Sequence, residues 1–321
     1  MSFFYKDVSK ELYEETSKVL DFHGIEFASL WERTYPPAAR FVPIISFEGP
    51  LRQSVIDAIF IIDVRTMCLF AAFWSFFHSM RIEDGEAAKR HAAMLTTFKM
   101  YTDILAYRKL FFSSLPEQAN TLARTISHCS DAVILALIDN EFATEFLAVQ
   151  SDDEANHIWY KYLSKNKAKK SLAAYLDAEG EDSRNKGFIQ WDKVAERELG
   201  TSVHSAKQSC VNAFYSYLKF PSGDKDNPAD YYEWQSARSL PFVEVTLYKT
   251  TISVTKIIED NPSLIHSKEI PEKAKMMKEY IRTFDAMRDL ADLFESKSRE
   301  NMELFLTNTF SNTDLSGNKN D

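Results

Sequence analysis

Hydrophobic residues in this chain recur every three or four positions over long stretches, which is the spacing of one face of an α-helix. The clearest stripe lies in residues 116–138 and consists of Leu122, Ile126, Cys129, Val133 and Leu137. The same spacing predicts further helices over residues 5–20, 51–80, 86–112, 139–149, 152–164, 190–219, 241–259 and 272–306. The pattern has no internal repeat of fixed period. We therefore predict an all-α fold, an irregular multi-helix bundle of about eight to ten helices.

One segment leaves its secondary structure open. Residues 241–259 are rich in β-branched side chains, which favour strands. The apolar positions Val243, Leu247, Val254 and Ile258 nevertheless keep helical spacing. We predict a helix there, with a strand as the alternative.

Polar segments set the predicted domain boundaries. The run GEDSRNKG, residues 180–187, is the best internal boundary because it combines two glycines with charged residues. We predict a single helical domain over residues 1–308. A division into two lobes at 180–188 is the alternative. Residues 309–321 are polar and poor in hydrophobic side chains, so we predict a disordered tail.

The low glycine content excludes several kinds of catalytic and nucleotide-binding site. The chain has 8 glycines in 321 residues, beside 24 Phe, 14 Tyr and 5 Trp. Phosphate loops, dinucleotide-binding turns and nucleophile elbows all need glycine for positive φ or close backbone approach. The sequence offers none of them, so most nucleotide-binding and hydrolase chemistries are excluded. No cofactor is predicted.

Charge and cysteine content point to the cytoplasm. The net charge of −9 and pI of about 5.4 argue against a general duplex-DNA-binding protein. The three cysteines lack paired spacing, which indicates a reducing compartment and argues against a zinc site. Met1–Leu20 has no apolar leader. The membrane-like stretch Val55–Met80 has an uncharged run, Thr66–Met80, of only 15 residues. About 20 are needed to span a bilayer, so we predict a buried helix and no membrane contact.

A first polar group is Arg124, His128 and Asp131. Offsets of four and three residues place them on one helical face. Arg124 could pair with a carboxylate of a neighbouring helix, and His128 with Asp131 could form a base of tuned pKa. We predict a binding site there. The alternative is a polar seam that satisfies its own hydrogen bonds between packed helices.

A second group is Arg197 and His204. If the helix breaks at Gly200, Ser202 caps the next helix and His204 lies in its first turn, where anions are favoured. Such a histidine can move the proton of a ribose 2′-hydroxyl while the arginine neutralises the phosphate, without metal. The alternative is a capped helix with a surface arginine.

Two further sequence patterns give weaker evidence for a functional site. Glu154-x-x-His157, with Glu141 and Glu145 upstream, supplies one of the two Glu-x-x-His elements that a di-metal carboxylate site needs. We therefore predict no metal. The lysine run 161–170 lies beside aromatic residues and could contact RNA, or could be a solvated helix end.

The segment that begins at Leu122 and Arg124, and continues through Asp153-Glu154-Ala155 into Trp159, resembles an uncharacterised family of bacterial all-helical domains. The resemblance covers about residues 115–220, and these proteins often carry a later Ser-x-His element, matched by Ser202 and His204. It implies a link to abortive-infection and phage-defence systems. The Arg197 and His204 spacing also resembles that of the HEPN ribonucleases, which have an amide residue where this chain has Glu198.

Two functions follow. The first is a soluble intracellular binding or structural protein, with a role in bacterial defence implied by the resemblance. Its protein partner would contact aromatic surfaces such as Tyr231, Tyr232 and Trp234. The second is a metal-independent HEPN-type endoribonuclease, which would be a homodimer with paired Arg197 and His204 sites. A di-metal carboxylate protein is a third, weaker alternative.

Overall fold

The computed structural model describes residues 7–37, 40, 49–80, 82–113, 115–164, 167–178, 239–265 and 274–313. These residues form eleven α-helices and no strand, which confirms the predicted all-α fold. The helices are α1 (Lys10–Phe22), α2 (Phe27–Thr34), α3 (Gly49–Ser79), α4 (Ala87–Phe112), α5 (Pro116–Ile138), α6 (Asn140–Ala148), α7 (Asp152–Ile158), α8 (Lys167–Ala178), α9 (Leu240–Asp260), α10 (Ala274–Asp289) and α11 (Ala291–Thr313). A π-helical turn, Trp159–Leu163, directly continues α7.

Four long helices form the centre of the molecule. Helix α3 packs on α4, α4 on α5, α5 on α9, and α9 back on α3, so the four close a ring around a shared core. Helices α10 and α11 pack on both α3 and α9, while α8 packs on α5 and on the π turn. This arrangement leaves one face of α5 available beside the π turn.

Helix α3 is enclosed by its neighbours, as predicted for this apolar stretch. Every residue from Ser54 to Ala72 is buried. The buried carboxylate of Asp63 accepts hydrogen bonds from Arg108 Nε at 3.1 Å and from the Tyr35 hydroxyl at 2.7 Å. Burial, together with the charge of Asp63, holds the pKa of Tyr35 well above its ordinary value. The phenol therefore stays a hydrogen-bond donor and helps to satisfy the buried charge.

A second buried polar cluster joins α3, α9 and α11. Arg65 Nη1 donates to the backbone oxygen of Glu244 at 2.9 Å, and the Glu244 carboxylate accepts from the Ser298 hydroxyl. The Arg65 guanidinium lies over the ring of Tyr248, 4.8 Å from its centroid. Burial raises the pKa of Glu244 to about 7 and lowers that of Arg65 to about 10.

Residues 241–259 lie within helix α9, as the helical spacing predicts and against the preference of the β-branched side chains for strands.

The prediction of one continuous last helix over 272–306 was wrong, because the structure has two helices there, which meet at Leu290. Leu290 is buried; its N–H donates to the backbone oxygen of Ala286 and its oxygen accepts from the N–H of Phe294, so backbone pairing continues across the junction. Neither glycine nor proline marks this junction in the sequence.

Other boundaries also differ from the prediction. Helix α11 continues to Thr313, into the segment 309–321 predicted as a tail, because neither glycine nor proline interrupts the chain there. The short helix α2 and the lysine-bearing α8 were not predicted as helices. The proposed boundary at 180–188 and the predicted helix 190–219 lie outside the described residues.

One helix among the described residues is long and apolar enough to cross a membrane by length and composition alone. It is α5, with a mean hydropathy of 1.3 over Gln118–Ile138. More than half of this stretch is buried against other helices, which is also how the core helix of a bundle behaves. The stretch singled out in the sequence, Val55–Met80, lies in α3 up to Ser79 instead.

Candidate functional site

One face of α5 lines an open groove. Thr121, Arg124, Thr125 and His128 follow the spacing i, i+3, i+4, i+7, which aligns them along about two turns of one helical face. Arg124, Thr125 and His128 are half-buried, and Thr121 is exposed. The structure thus places Arg124 and His128 side by side in one groove.

The π turn supplies the opposite wall. Trp159 and Leu163 face α5 across a groove of about 420 Å³, a volume within the range of small-molecule sites. The indole of Trp159 and the imidazole of His128 lie with their ring centroids 5.2 Å apart and their planes tilted by 43°. The groove therefore combines a guanidinium, an imidazole and a broad aromatic face.

Backbone geometry sets the direction of Trp159. The backbone N–H of Ser164 donates to the oxygen of Trp159, five residues back, which is the hydrogen bond of a π turn. The wider turn lets Trp159 and Leu163 face α5 together. Such turns frequently occur at functional sites.

Helix α6 holds the other side of the π turn. Lys161 Nζ bridges two carboxylates on α6, Glu141 at 2.8 Å and Glu145 at 2.6 Å. These hydrogen bonds raise the pKa of Lys161, and the bond from Lys161 lowers the pKa of Glu141. Tyr162 packs edge-on against Phe142, with ring centroids 5.2 Å apart. The turn is thus anchored away from the groove, and its anchor fixes the wall that carries Trp159.

The carboxylates considered for a di-metal site are engaged elsewhere. Glu141 and Glu145 pair with Lys161, and the Glu154 carboxylate accepts from the backbone N–H of Gln150 at 2.7 Å at the start of α7. His157 is exposed on that helix. Among the residues that the structure describes, no group of three His, Cys, Asp or Glu side chains is arranged to hold a metal ion.

Asp131 does not join Arg124 and His128 in the groove. Its carboxylate accepts from Lys249 Nζ on α9 at 2.8 Å, and both side chains are buried. Asp131 lies seven residues beyond Arg124, about 10 Å further along the helix axis. At that level α9 packs on α5, so Asp131 belongs to a polar seam between helices, which was the alternative for this group.

Several predicted residues lie outside the described part of the chain. They are Arg197, His204, Tyr231, Tyr232 and Trp234. The lysine run is described in part, with Lys161 in the α6 anchor and Lys167, Lys169 and Lys170 in the first turns of α8.

Comparison of the chain with protein-family models, with curated proteins and with solved structures finds no match. The resemblance to bacterial helical domains, the HEPN-like spacing and the role in phage defence therefore stay predictions from the sequence. The function of the groove is therefore inferred from the side chains that line it.

Sequence reasoning missed four of the six residues that line the groove, Thr121, Thr125, Trp159 and Leu163, as partners of Arg124. Thr121 and Thr125 share the same helical face, so the spacing of α5 contained that signal. Trp159 was noted in the segment that carries the family resemblance and as a neighbour of the lysine run, but not as a groove residue. Its place opposite His128 depends on the packing of the π turn against α5, which no periodic pattern reveals.

Proposed function

We propose that this protein is an intracellular helical binding protein whose groove between α5 and the π turn takes an anionic ligand with a planar ring. The observation that carries this proposal is the shared groove of Arg124, His128 and Trp159. Each of these side chains supplies a different part of the recognition.

Arg124 offers the planar fork of donors that suits a phosphate or carboxylate group. His128, one turn along α5, adds a ring nitrogen that can donate to the same anion. Trp159 presents an aromatic face for stacking. The Thr125 hydroxyl, which donates to the backbone oxygen of Thr121 at 3.2 Å, can accept a hydrogen bond beside it. A mononucleotide is a small ligand that has both required groups, a phosphate and a flat base.

Binding rather than catalysis fits the arrangement of acidic groups. A general base made of His128 and Asp131 would need the two side chains to meet. Asp131 instead pairs with Lys249. The described residues that line the groove include no carboxylate, so the lining itself supplies no acid to orient the imidazole.

The test is calorimetric titration of the full chain with AMP, adenosine and inorganic phosphate. We expect AMP to bind with a dissociation constant of roughly 10 μM to 1 mM, the range for a ligand of that size in an open groove. Adenosine and phosphate should each bind more weakly than AMP, because each lacks one of the two recognised groups.

The matched variants are Arg124→Ala in the groove and Arg299→Ala on α11, where the side chain is 66% exposed. Loss of a charge-assisted hydrogen bond should weaken AMP binding by about tenfold or more for Arg124→Ala. Arg299→Ala should bind AMP as the wild type does. Equal affinity in the two variants, or no AMP binding at millimolar concentration, would contradict the proposal.

A further inference from the structure

The surface next to the groove carries a second exposed aromatic ring. Tyr160 follows Trp159 in the π turn and is 67% exposed. Lys161 and Tyr162, by contrast, are engaged by α6. The turn therefore presents two successive aromatic side chains, Trp159 towards the groove and Tyr160 towards solvent.

Lysine side chains extend along the same surface. Helix α8 packs on both α5 and the π turn. In its first turns, Lys167 and Lys170 are exposed, and Lys167 Nζ donates to the backbone oxygen of Tyr160 at 2.9 Å. The sequence from 159 to 178 carries five lysines and one acidic residue, Asp177, in a chain whose net charge is −9. Lys161 is paired with Glu141 and Glu145, so the lysine charge that faces solvent on the described part of this surface comes from α8, where Lys167 and Lys170 are exposed.

We propose, building on the proposed function, that the groove ligand is a segment of single-stranded nucleic acid. One base stacks on Trp159 and its neighbour stacks on Tyr160, while Arg124 and the lysines of α8 contact the connecting phosphates. Proteins that bind single strands combine successive aromatic faces with a positive track in this way. A duplex hides its base faces within the stack, so it cannot use either aromatic ring.

The first test varies the length of the strand. Oligoadenylates of one, two, four and eight nucleotides, as RNA and as DNA, are titrated onto the full chain beside an eight-base-pair duplex. We expect the octamer to bind at least about tenfold more tightly than AMP, because a second base stacks. With about three phosphate contacts, log K should fall against log salt with a slope of about −2. The RNA and DNA arms show whether the 2′-hydroxyl contributes.

The second test uses variants beside the groove. Tyr160→Ala should weaken octamer binding by about tenfold, because one stacked base is lost. Lys170→Glu should weaken it several-fold and flatten the salt slope. Both variants should bind AMP within about twofold of wild type, since neither residue lines the groove. Matched controls are Phe22→Ala, an aromatic side chain 83% exposed, and Lys10→Glu, 86% exposed, both on α1.

The outcomes separate the two proposals. If AMP binds but the octamer binds no more tightly, or if Tyr160→Ala leaves octamer affinity unchanged, the single-strand proposal is wrong and the groove proposal stands. Equal or tighter binding of the duplex also overturns the single-strand proposal. If neither AMP nor the octamer binds, both proposals fail.

Discussion

The Nζ of Lys249 on α9 lies 2.8 Å from the Oδ1 of Asp131 on α5, and the two side chains are 2% and 8% exposed. This ion pair links two of the four central helices inside the core. Beside it, the Thr250 hydroxyl donates to Ser130 Oγ at 2.7 Å. The α5–α9 contact therefore depends on paired polar groups as well as on apolar packing.

Removal of one partner of this ion pair should destabilise the fold. Asp131→Ala leaves the Lys249 ammonium buried without its carboxylate, so we expect unfolding free energy, measured in urea, to fall by about 3–5 kcal/mol. The double variant Asp131→Leu, Lys249→Met should recover most of that loss, since no buried charge remains.

The control is an exposed ion pair of similar geometry. Arg288 and Glu259 lie 2.9 Å apart but are 55% and 43% exposed. Glu259→Ala should cost about 1 kcal/mol or less. If Asp131→Ala costs no more than this control, the α5–α9 seam does not stabilise the fold as described.

Glu244 should make stability depend on pH. Burial raises its pKa from the ordinary 4.5 to about 7, so the folded protein holds this proton more tightly than the unfolded chain does. Its stabilising contribution is complete below pH 4.5 and is lost as the pH rises to 7. Relative to wild type, Glu244→Gln should therefore gain roughly 3 kcal/mol between pH 4.5 and 8.

Urea unfolding at a series of pH values measures this difference. The exposed Glu14→Gln substitution on α1 serves as the control, and its stability relative to wild type should stay nearly constant. A Glu244→Gln curve parallel to that of wild type would show that the buried carboxyl group titrates normally.

The anchor of the π turn should affect ligand binding from a distance. Lys161→Met removes the bridge to Glu141 and Glu145, so Trp159 loses part of its fixed orientation. We expect AMP affinity to fall about threefold to tenfold, because the ligand must then order the turn. The free energy of unfolding should change little, since Lys161 and both of its carboxylate partners are partly exposed. Lys18→Met, at an exposed pair on α1, should change neither quantity.

The fold could be predicted from the sequence where helical spacing runs uninterrupted. The predicted ends of helices α3, α4, α5 and α9 lie no more than two residues from the observed ends. The junction at Leu290 was not predicted because neither glycine nor proline marks it in the sequence. The sequence predicted that Arg124 and His128 lie side by side, since their i, i+4 spacing is a local property; their role in binding stays a prediction. Tertiary packing places Trp159 in the groove. It also pairs Asp131 with Lys249 of α9, outside the groove. Neither contact could be predicted from local spacing.

The proposed binding function also predicts that the protein does not cleave RNA. On the binding account, a mixed RNA pool incubated with the purified protein in chelator should stay intact. The variants Arg197→Ala and His204→Ala should behave as wild type does. Cleavage by the wild type that disappears in His204→Ala would establish the metal-independent nuclease instead.

The most direct test of the central claim is the spectrum of the tryptophan indole N–H groups in the ¹⁵N-labelled protein. The chain has 5 Trp, and the signal of Trp159 is identified by its absence in Trp159→Phe. We predict that saturating AMP shifts the Trp159 signal and leaves those of Trp31 and Trp74 in place. A Trp159 signal that does not move at millimolar AMP would contradict the groove as the binding site.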